Sequence, residues 1–204
     1  SSGAGKSSFL RAGVVGALRY SPRSQADYVQ TIHRPNTLLS KAAAMAVHAH
    51  CPLRVLLANA LEALAEAQRC TAFTFEKSEP ILAAFDRLEP SSRPGWAADT
   101  LEAILAEDDA GSPAARPTRL VIGIDQFEEI VDMLDDPELG PKWALFAEFL
   151  TLAPLRPHVL VLATLREERV EKMQRHGTLK GLWERSSAQK SLLSFPSATE
   201  LESI

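Results

Sequence analysis

The chain has 204 residues, 46% of them hydrophobic and 24% charged, and carries a net charge of −4. That balance excludes wholesale disorder, a collagen-like repeat and a disulfide scaffold, and it leaves no broad basic footprint for nucleic acid or an acidic membrane surface. Two cysteines, no visible signal peptide and no apolar run near the roughly 18 residues of a bilayer span point to one reduced, cytoplasmic α/β domain.

Ser1-Ser2-Gly3-Ala4-Gly5-Lys6-Ser7-Ser8 opens the chain. Gly5, Lys6 and Ser7 fit the last three positions of the phosphate-binding loop G-x-x-x-x-G-K-[ST], whose first glycine falls one residue before Ser1. The expectation is a chain that starts inside this motif, without the strand that feeds it. Glycines let successive backbone N–H groups turn inward around a phosphate, and a following helix N-terminus adds positive potential. Ser2, Gly3, Ala4, Gly5, Lys6, Ser7 and Ser8 are thus candidate phosphate contacts, with Lys6 on the β- and γ-phosphates and the Ser7 hydroxyl on Mg²⁺. A Gly/Ser linker is the plain alternative. Against it, Phe9, Leu10, Val14, Val15 and Leu18 supply the packing face of a helix over 5–19.

Residues 28–33 alternate and contain β-branched side chains, which predicts a strand ended by Arg34-Pro35. Ala- and Leu-rich stretches at 37–49 and 53–68 predict helices broken at Pro52, and 78–88 and 96–107 predict two more. The Pro- and Ser-rich run 89–95 and the polar stretch 108–117 read as loops. A helical insertion over about 53–107 follows from this pattern. His48, His50 and Cys51 superficially suggest a metal site, but neighbours two apart on a helix diverge and no partner cluster follows, so zinc is not expected.

Leu120-Val121-Ile122-Gly123-Ile124 is apolar without alternation, as in a parallel strand covered on both faces, and it ends on Asp125. A carboxylate at that position holds Mg²⁺ opposite a P-loop serine, directly or through water, and also makes a good helix N-cap. Gln126-Phe127-Glu128-Glu129 follow. Gln126 cannot act as a base, so a water-handling role falls to Glu128 or Glu129, whose plain alternative is as first-turn acids favouring the helix dipole. Helices are expected at about 127–134 and 142–152, then a second buried strand, Val159 to Thr164. Arg166 lies just beyond it, placed either to sense a γ-phosphate or as an ordinary first-turn residue of a helix at 166–175. A weaker strand at 191–195 and a helix opening near Ala198 complete the pattern. Strands alternating with helices predict a doubly wound sheet with ligands at the carboxyl ends of its strands. No N-K-x-D element for guanine is present, which favours ATP.

GAGKSSFLRAG from Gly3 to Gly13, LVIGIDQFEE from Leu120 to Glu129 and LATLR from Leu162 to Arg166 resemble the STAND NTPases, in particular the novel STAND group with its GKSS-x-x-R-A-G helix and D-Q-F-E-E element. Arg34-Pro35 and Leu193-Ser194-Phe195-Pro196 before Glu200-Leu201 are similar to the same group. Asp125-x-x-Glu128-Glu129 parallels the acidic element of NACHT-type members. The resemblance implies a three-layer αβα P-loop fold with a mostly parallel sheet, residues 1–204 forming its nucleotide-binding core. The missing first strand is expected between the strands ending near Thr164 and Phe195, and residues 1–204 alone are therefore expected to be unstable. It further implies a switch that is closed with ADP and open with ATP, with Mg²⁺ as cofactor. Effector and repeat domains in the same chain, often WD-type propellers, and a homo-oligomer when ATP-bound are also implied. A nucleotide-gated scaffold with little hydrolysis and an AAA-type remodelling ATPase are the competing readings.

Overall fold

The computed structural model describes Leu10 and residues 26–44, 51–67, 73–111 and 116–186. The expected phosphate loop from Ser2 to Ser8, and the strand and helix expected after residue 190, lie outside these residues. Three parallel strands stand side by side in chain order: β1 (Asp27–His33), β2 (Thr118–Ile124) and β3 (Val159–Ala163). Between β1 and β2 come α1 (Pro35–Ala44), α2 (Pro52–Glu66), α3 (Ser78–Arg87) and α4 (Arg93–Gly111). Helices α5 (Glu128–Met133) and α6 (Gly140–Leu152) join β2 to β3, and α7 (Val170–Arg175) and α8 (Gly177–Ser186) follow. No described helix is long and apolar enough to cross a membrane.

The unbroken apolar run of β2 is explained by its central place. Leu120, Ile122 and Ile124 join the core formed by α2, α4 and α6, while Val121 and Gly123 face the other side. There a Cβ on Gly123 would lie 3.1 Å from Ile32 and 3.5 Å from Leu10, so Leu10 packs against the second face. Helix α2 buries Leu53, Leu56, Leu57, Leu61 and Leu64, the three-and-four spacing of a helix with one core face. That face meets β1 and α6. In α6, Trp143, Phe146 and Phe149 are fully buried, and the rings of Trp143 and Phe146 meet nearly edge-on at 5.1 Å. On its far flank no described strand pairs with β3. Leu160, Val161 and Leu162 are half-buried there and Ala163 is exposed, on the flank where the phosphate-loop strand is expected.

Several boundaries differ from the sequence expectations. Helix α4 starts at Arg93 and takes in Pro94-Gly95, because proline in a first turn has no N–H to lose. It also extends to Gly111, where a polar loop is expected from Asp108. There Asp108 accepts the Thr118 hydroxyl at 3.0 Å, and Asp109 accepts the Thr118 N–H at 2.8 Å. Helix α1 begins directly at Pro35 for the same reason as α4. The helix expected over 166–175 is a 3₁₀ turn at Glu167–Arg169 followed by α7, and α8 is a further helix beyond the sequence expectations.

The amino edge of the sheet is closed by an ion cluster. His158, in the turn before β3, meets Glu102 Oε1 through Nδ1 at 2.6 Å and Asp109 Oδ2 through Nε2 at 2.9 Å, both carboxylates belonging to α4. Partial burial pulls the imidazole pKa down, but Glu102 and Asp109 together outweigh it, and the group titrates above its ordinary value. A histidine raised in this way adds stability that is complete below about pH 6.5 and is lost as pH rises through its folded value. Chemical denaturation at pH 6 and pH 9 is therefore expected to show a loss of stability that His158→Gln flattens. An identical pH slope in the two proteins would remove His158 from this role.

Two helical glycines make a second, paired test. A Cβ on Gly140 would sit 2.6 Å from the Leu134 carbonyl oxygen, a backbone atom that cannot step aside cheaply, whereas one on Gly95 meets nothing within 4 Å. Gly140→Ala is expected to cost about 1–3 kcal/mol by overpacking. Gly95→Ala is expected to gain about 0.5–1 kcal/mol from helix propensity. Urea midpoints of the two variants check both, and equal effects would contradict the close approach at Gly140.

Candidate functional site

Because the strands are parallel, their carboxyl ends share one edge, with His33 beside Ile124 and Ile124 beside Ala163. Immediately past those ends the chain places Arg34, the run Asp125 to Glu129, and Thr164 to Arg166. Backbone pairing continues one residue further: Asp125 N–H donates to His33 O at 2.8 Å and Thr164 N–H to Ile124 O at 2.9 Å. The chain then turns sharply at Gln126, which has φ 63° and is the one non-glycine with positive φ among the described residues. This left-handed turn aims two N–H groups at Thr164. Gln126 donates to its hydroxyl oxygen at 3.0 Å and Phe127 to its carbonyl at 2.9 Å.

Asp125 is 1% exposed. Burying a carboxylate is costly unless it is paired and hydrogen-bonded, and both of its oxygens are. Thr164 Oγ1 donates to Oδ1 at 3.0 Å, and Arg34 Nε donates to Oδ2 at 3.0 Å. Glu128 and Glu129 open α5 and part company at once. Glu128, mostly buried, meets Arg166 Nε at 3.0 Å, and the Arg166 side chain remains 46% exposed. Glu129 Oε2 accepts the Asn36 N–H at 3.0 Å, in the first turn of α1, a helix with no acid of its own there. It thereby satisfies one orphan donor and complements the helix dipole.

Beside this edge, a cleft of about 340 Å³ runs between the end of β1 and helices α1 and α2. His33 forms its buried floor. Asn59 Nδ2 faces His33 Nδ1 at 3.4 Å, which leaves Nε2–H to donate to Thr31 Oγ1 at 2.8 Å. Burial, with a smaller contribution from the Lys41 charge, pushes the His33 pKa down to about 4, so the ring is neutral at pH 7.

Asp125, Glu128, Glu129 and Arg166 thus lie on one edge, as their sequence positions predict. Ser2, Gly3, Ala4, Gly5, Lys6, Ser7 and Ser8 lie outside the described residues. Arg34 and Thr164 were not singled out as site residues. The available signal was their place, each directly after the carboxyl end of a strand in a parallel sheet. No cluster of three or more metal-ligating side chains occurs among the described residues. Magnesium needs none: it takes one or two carboxylates and fills its other places with water, hydroxyl and phosphate oxygens. Asp125 fits that donor set, since its oxygens are held in place and one already faces a cation. Cys51 is buried and unpaired in disulfide terms.

A parallel α/β sheet with a buried acid at the end of its central strand marks its carboxyl edge as the candidate ligand site. The family model of novel STAND NTPase 1 matches residues 1–204, and the chain belongs to that family. Family membership implies nucleotide binding. No curated protein and no solved structure matches the chain.

The neutral His33 generates a test of the edge itself. A histidine held below its ordinary value gives stability that is complete above about pH 6.5 and declines as pH falls toward 4, because the unfolded chain takes the proton first. The decline attributable to His33 is roughly 3 kcal/mol. Denaturation at pH 7 and pH 4.5 is expected to show it in the wild type and to show much less in His33→Gln. Parallel pH curves for the two would exclude the buried neutral ring as its source.

Proposed function

We propose that the chain is the ATP-binding core of a signalling switch, closed with ADP and reset by slow hydrolysis. The observation that carries this reading is the convergence of Asp125, Glu128 and Arg166 on one sheet edge, the two acids following β2 and the arginine following β3. Ser2, Gly3, Ala4, Gly5, Lys6, Ser7 and Ser8 cradle the phosphates, Lys6 engages the β- and γ-oxygens, and Ser7 with Asp125 holds Mg²⁺. A metal held there would supply neutralisation of the charge that develops on the transferred phosphoryl group. Thr164 orients Asp125, Glu128 orients or deprotonates the attacking water, and Arg166 reads the γ-phosphate. Effector and repeat domains of the same chain, and a homo-oligomer in the ATP state, are the partners this reading calls for.

A second reading, a scaffold gated by nucleotide with little hydrolysis, draws support from the same pairings. Glu128 Oε1 is engaged by Arg166 and Glu129 Oε2 by the α1 backbone, so each carboxylate already has one oxygen committed to a structural partner.

Three variants of the full protein separate these readings. Lys6→Ala is expected to abolish tight Mg-ATP binding in calorimetry, and unchanged affinity would sink the phosphate-loop assignment. Glu128→Gln is expected to slow single-turnover hydrolysis by about 10²-fold while sparing binding. Damage from Glu129→Gln alone would exchange the two roles. Negligible wild-type turnover with intact binding would select the scaffold.

A further inference from the structure

We propose that Arg34 is the resident counter-cation of Asp125, that the divalent metal displaces it, and that this exchange reports metal arrival to helix α1. The inference rests on the proposed metal-holding role of Asp125. The two oxygens of Asp125 have partners of different kind. Oδ1 accepts from the neutral Thr164 hydroxyl at 3.0 Å, and Oδ2 accepts from the charged Arg34 guanidinium at 3.0 Å. A neutral donor tolerates a metal on the same carboxylate and keeps it oriented. A guanidinium does not, because two cations against one buried carboxylate repel strongly where the local dielectric is low. In the absence of metal, the same burial makes a cation at Oδ2 necessary.

Arg34 is built to leave. Its side chain is 43% exposed while Asp125 is 1% exposed, so the acid stays and the base has water on one side. Arg34 also lines the cleft beside β1 with Glu62, Glu66 and Lys41, where two carboxylates against one lysine leave an acid to receive a displaced guanidinium.

Departure of Arg34 has a mechanical consequence. It is the residue before α1, and its carbonyl accepts the N–H groups of Thr37 and Leu38, both at 3.0 Å. Asn36, two residues on, is tied to Glu129 on the same acidic run. The start of α1 is therefore tied to the Asp125–Glu129 segment by the Arg34–Asp125 ion pair and by the bond from the Asn36 N–H to the Glu129 carboxylate. Exchange of the first loosens that attachment.

The test measures binding in the full protein. The readout is the ratio of ADP dissociation constants in EDTA and in Mg²⁺, which cancels any direct effect of a variant on ADP. Arg34→Gln is expected to raise this ratio about tenfold, the size of an ordinary coupling between sites, and Arg34→Lys to leave it near wild type. Asp125→Asn is expected to collapse the ratio. If Asp125→Asn lowers the ratio but Arg34→Gln leaves it unchanged or lowers it, the exchange is overturned and the metal reading stands. If Asp125→Asn has no effect, the metal reading itself fails and takes the exchange with it. Hydrogen exchange on the wild type needs no variant: faster exchange at Asn36, Thr37 and Leu38 when Mg²⁺ is added to the ADP complex is expected. Unchanged exchange there overturns the coupling to α1.

Discussion

One buried carboxylate sets the terms on which the carboxyl edge is built. Asp125 follows the most buried of the described strands and lies almost entirely out of water, where an uncompensated charge is costly. Compensation arrives from both neighbours, Arg34 after β1 and Thr164 after β3. An edge strand has only one neighbour, so a doubly held acid of this kind requires β2 to be central. The central place in turn explains why β2 is apolar on both faces and why Gly123 is small where Ile32 and Leu10 press against it. The left-handed turn at Gln126 belongs to the same set of demands. Backbone in that region costs of order 1 kcal/mol or more, and of the two N–H groups it delivers to Thr164 that of Phe127 holds the carbonyl and that of Gln126 the hydroxyl that orients Asp125.

The opposite edge of the sheet is governed by charge as well, but to a different end. His158, Glu102 and Asp109 lock the turn before β3 onto α4, and Arg156 pairs with Asp99 one helical turn away. These groups lie away from the strands' carboxyl ends and join the turn before β3 to α4, so their pairing serves attachment of the helix layer. The two edges also respond to acid in opposite senses. The His158 cluster is strongest when its imidazole is protonated, whereas His33 is buried as a neutral ring and resists protonation.

Much of this edge was legible in the sequence because its signals are local. An apolar run without alternation marks a buried parallel strand, and an acid at its end marks the carboxyl edge, as Leu120 to Asp125 does. Pairings between distant segments leave no such mark. Arg34 and Asp125 are 91 positions apart, and nothing in Arg34-Pro35 by itself says that the guanidinium turns toward the next strand rather than into water. Boundaries were missed for a related reason. Pro94-Gly95 reads as a breaker, yet a first helical turn makes no use of the proline N–H, and Arg93 anchors the start by donating to the Leu88 and Asp86 carbonyls. The extension of α4 through Asp108 and Asp109 depends on Thr118, a tertiary partner that no helix propensity contains.

Glu128 and Glu129 illustrate how adjacency in sequence becomes division of labour in space. Successive residues of a helix point about 100° apart, so two neighbouring acids at the start of α5 cannot serve one partner. Glu128 turns toward the β3 side and meets Arg166, while Glu129 turns toward the β1 side and meets the backbone of α1. The second attachment satisfies a helix N–H that has no intrahelical acceptor, and α1 has no first-turn acid to take its place. Releasing Glu129 therefore costs α1 a structural bond. The first attachment joins two side chains, a mostly buried carboxylate and an arginine with nearly half of its surface in solvent, and it caps no backbone group. A group that must turn to handle water disturbs the helix layer least when it holds no backbone donor, which is the physical ground for placing the proposed water-handling role on Glu128 and leaving Glu129 as the cap of its neighbour.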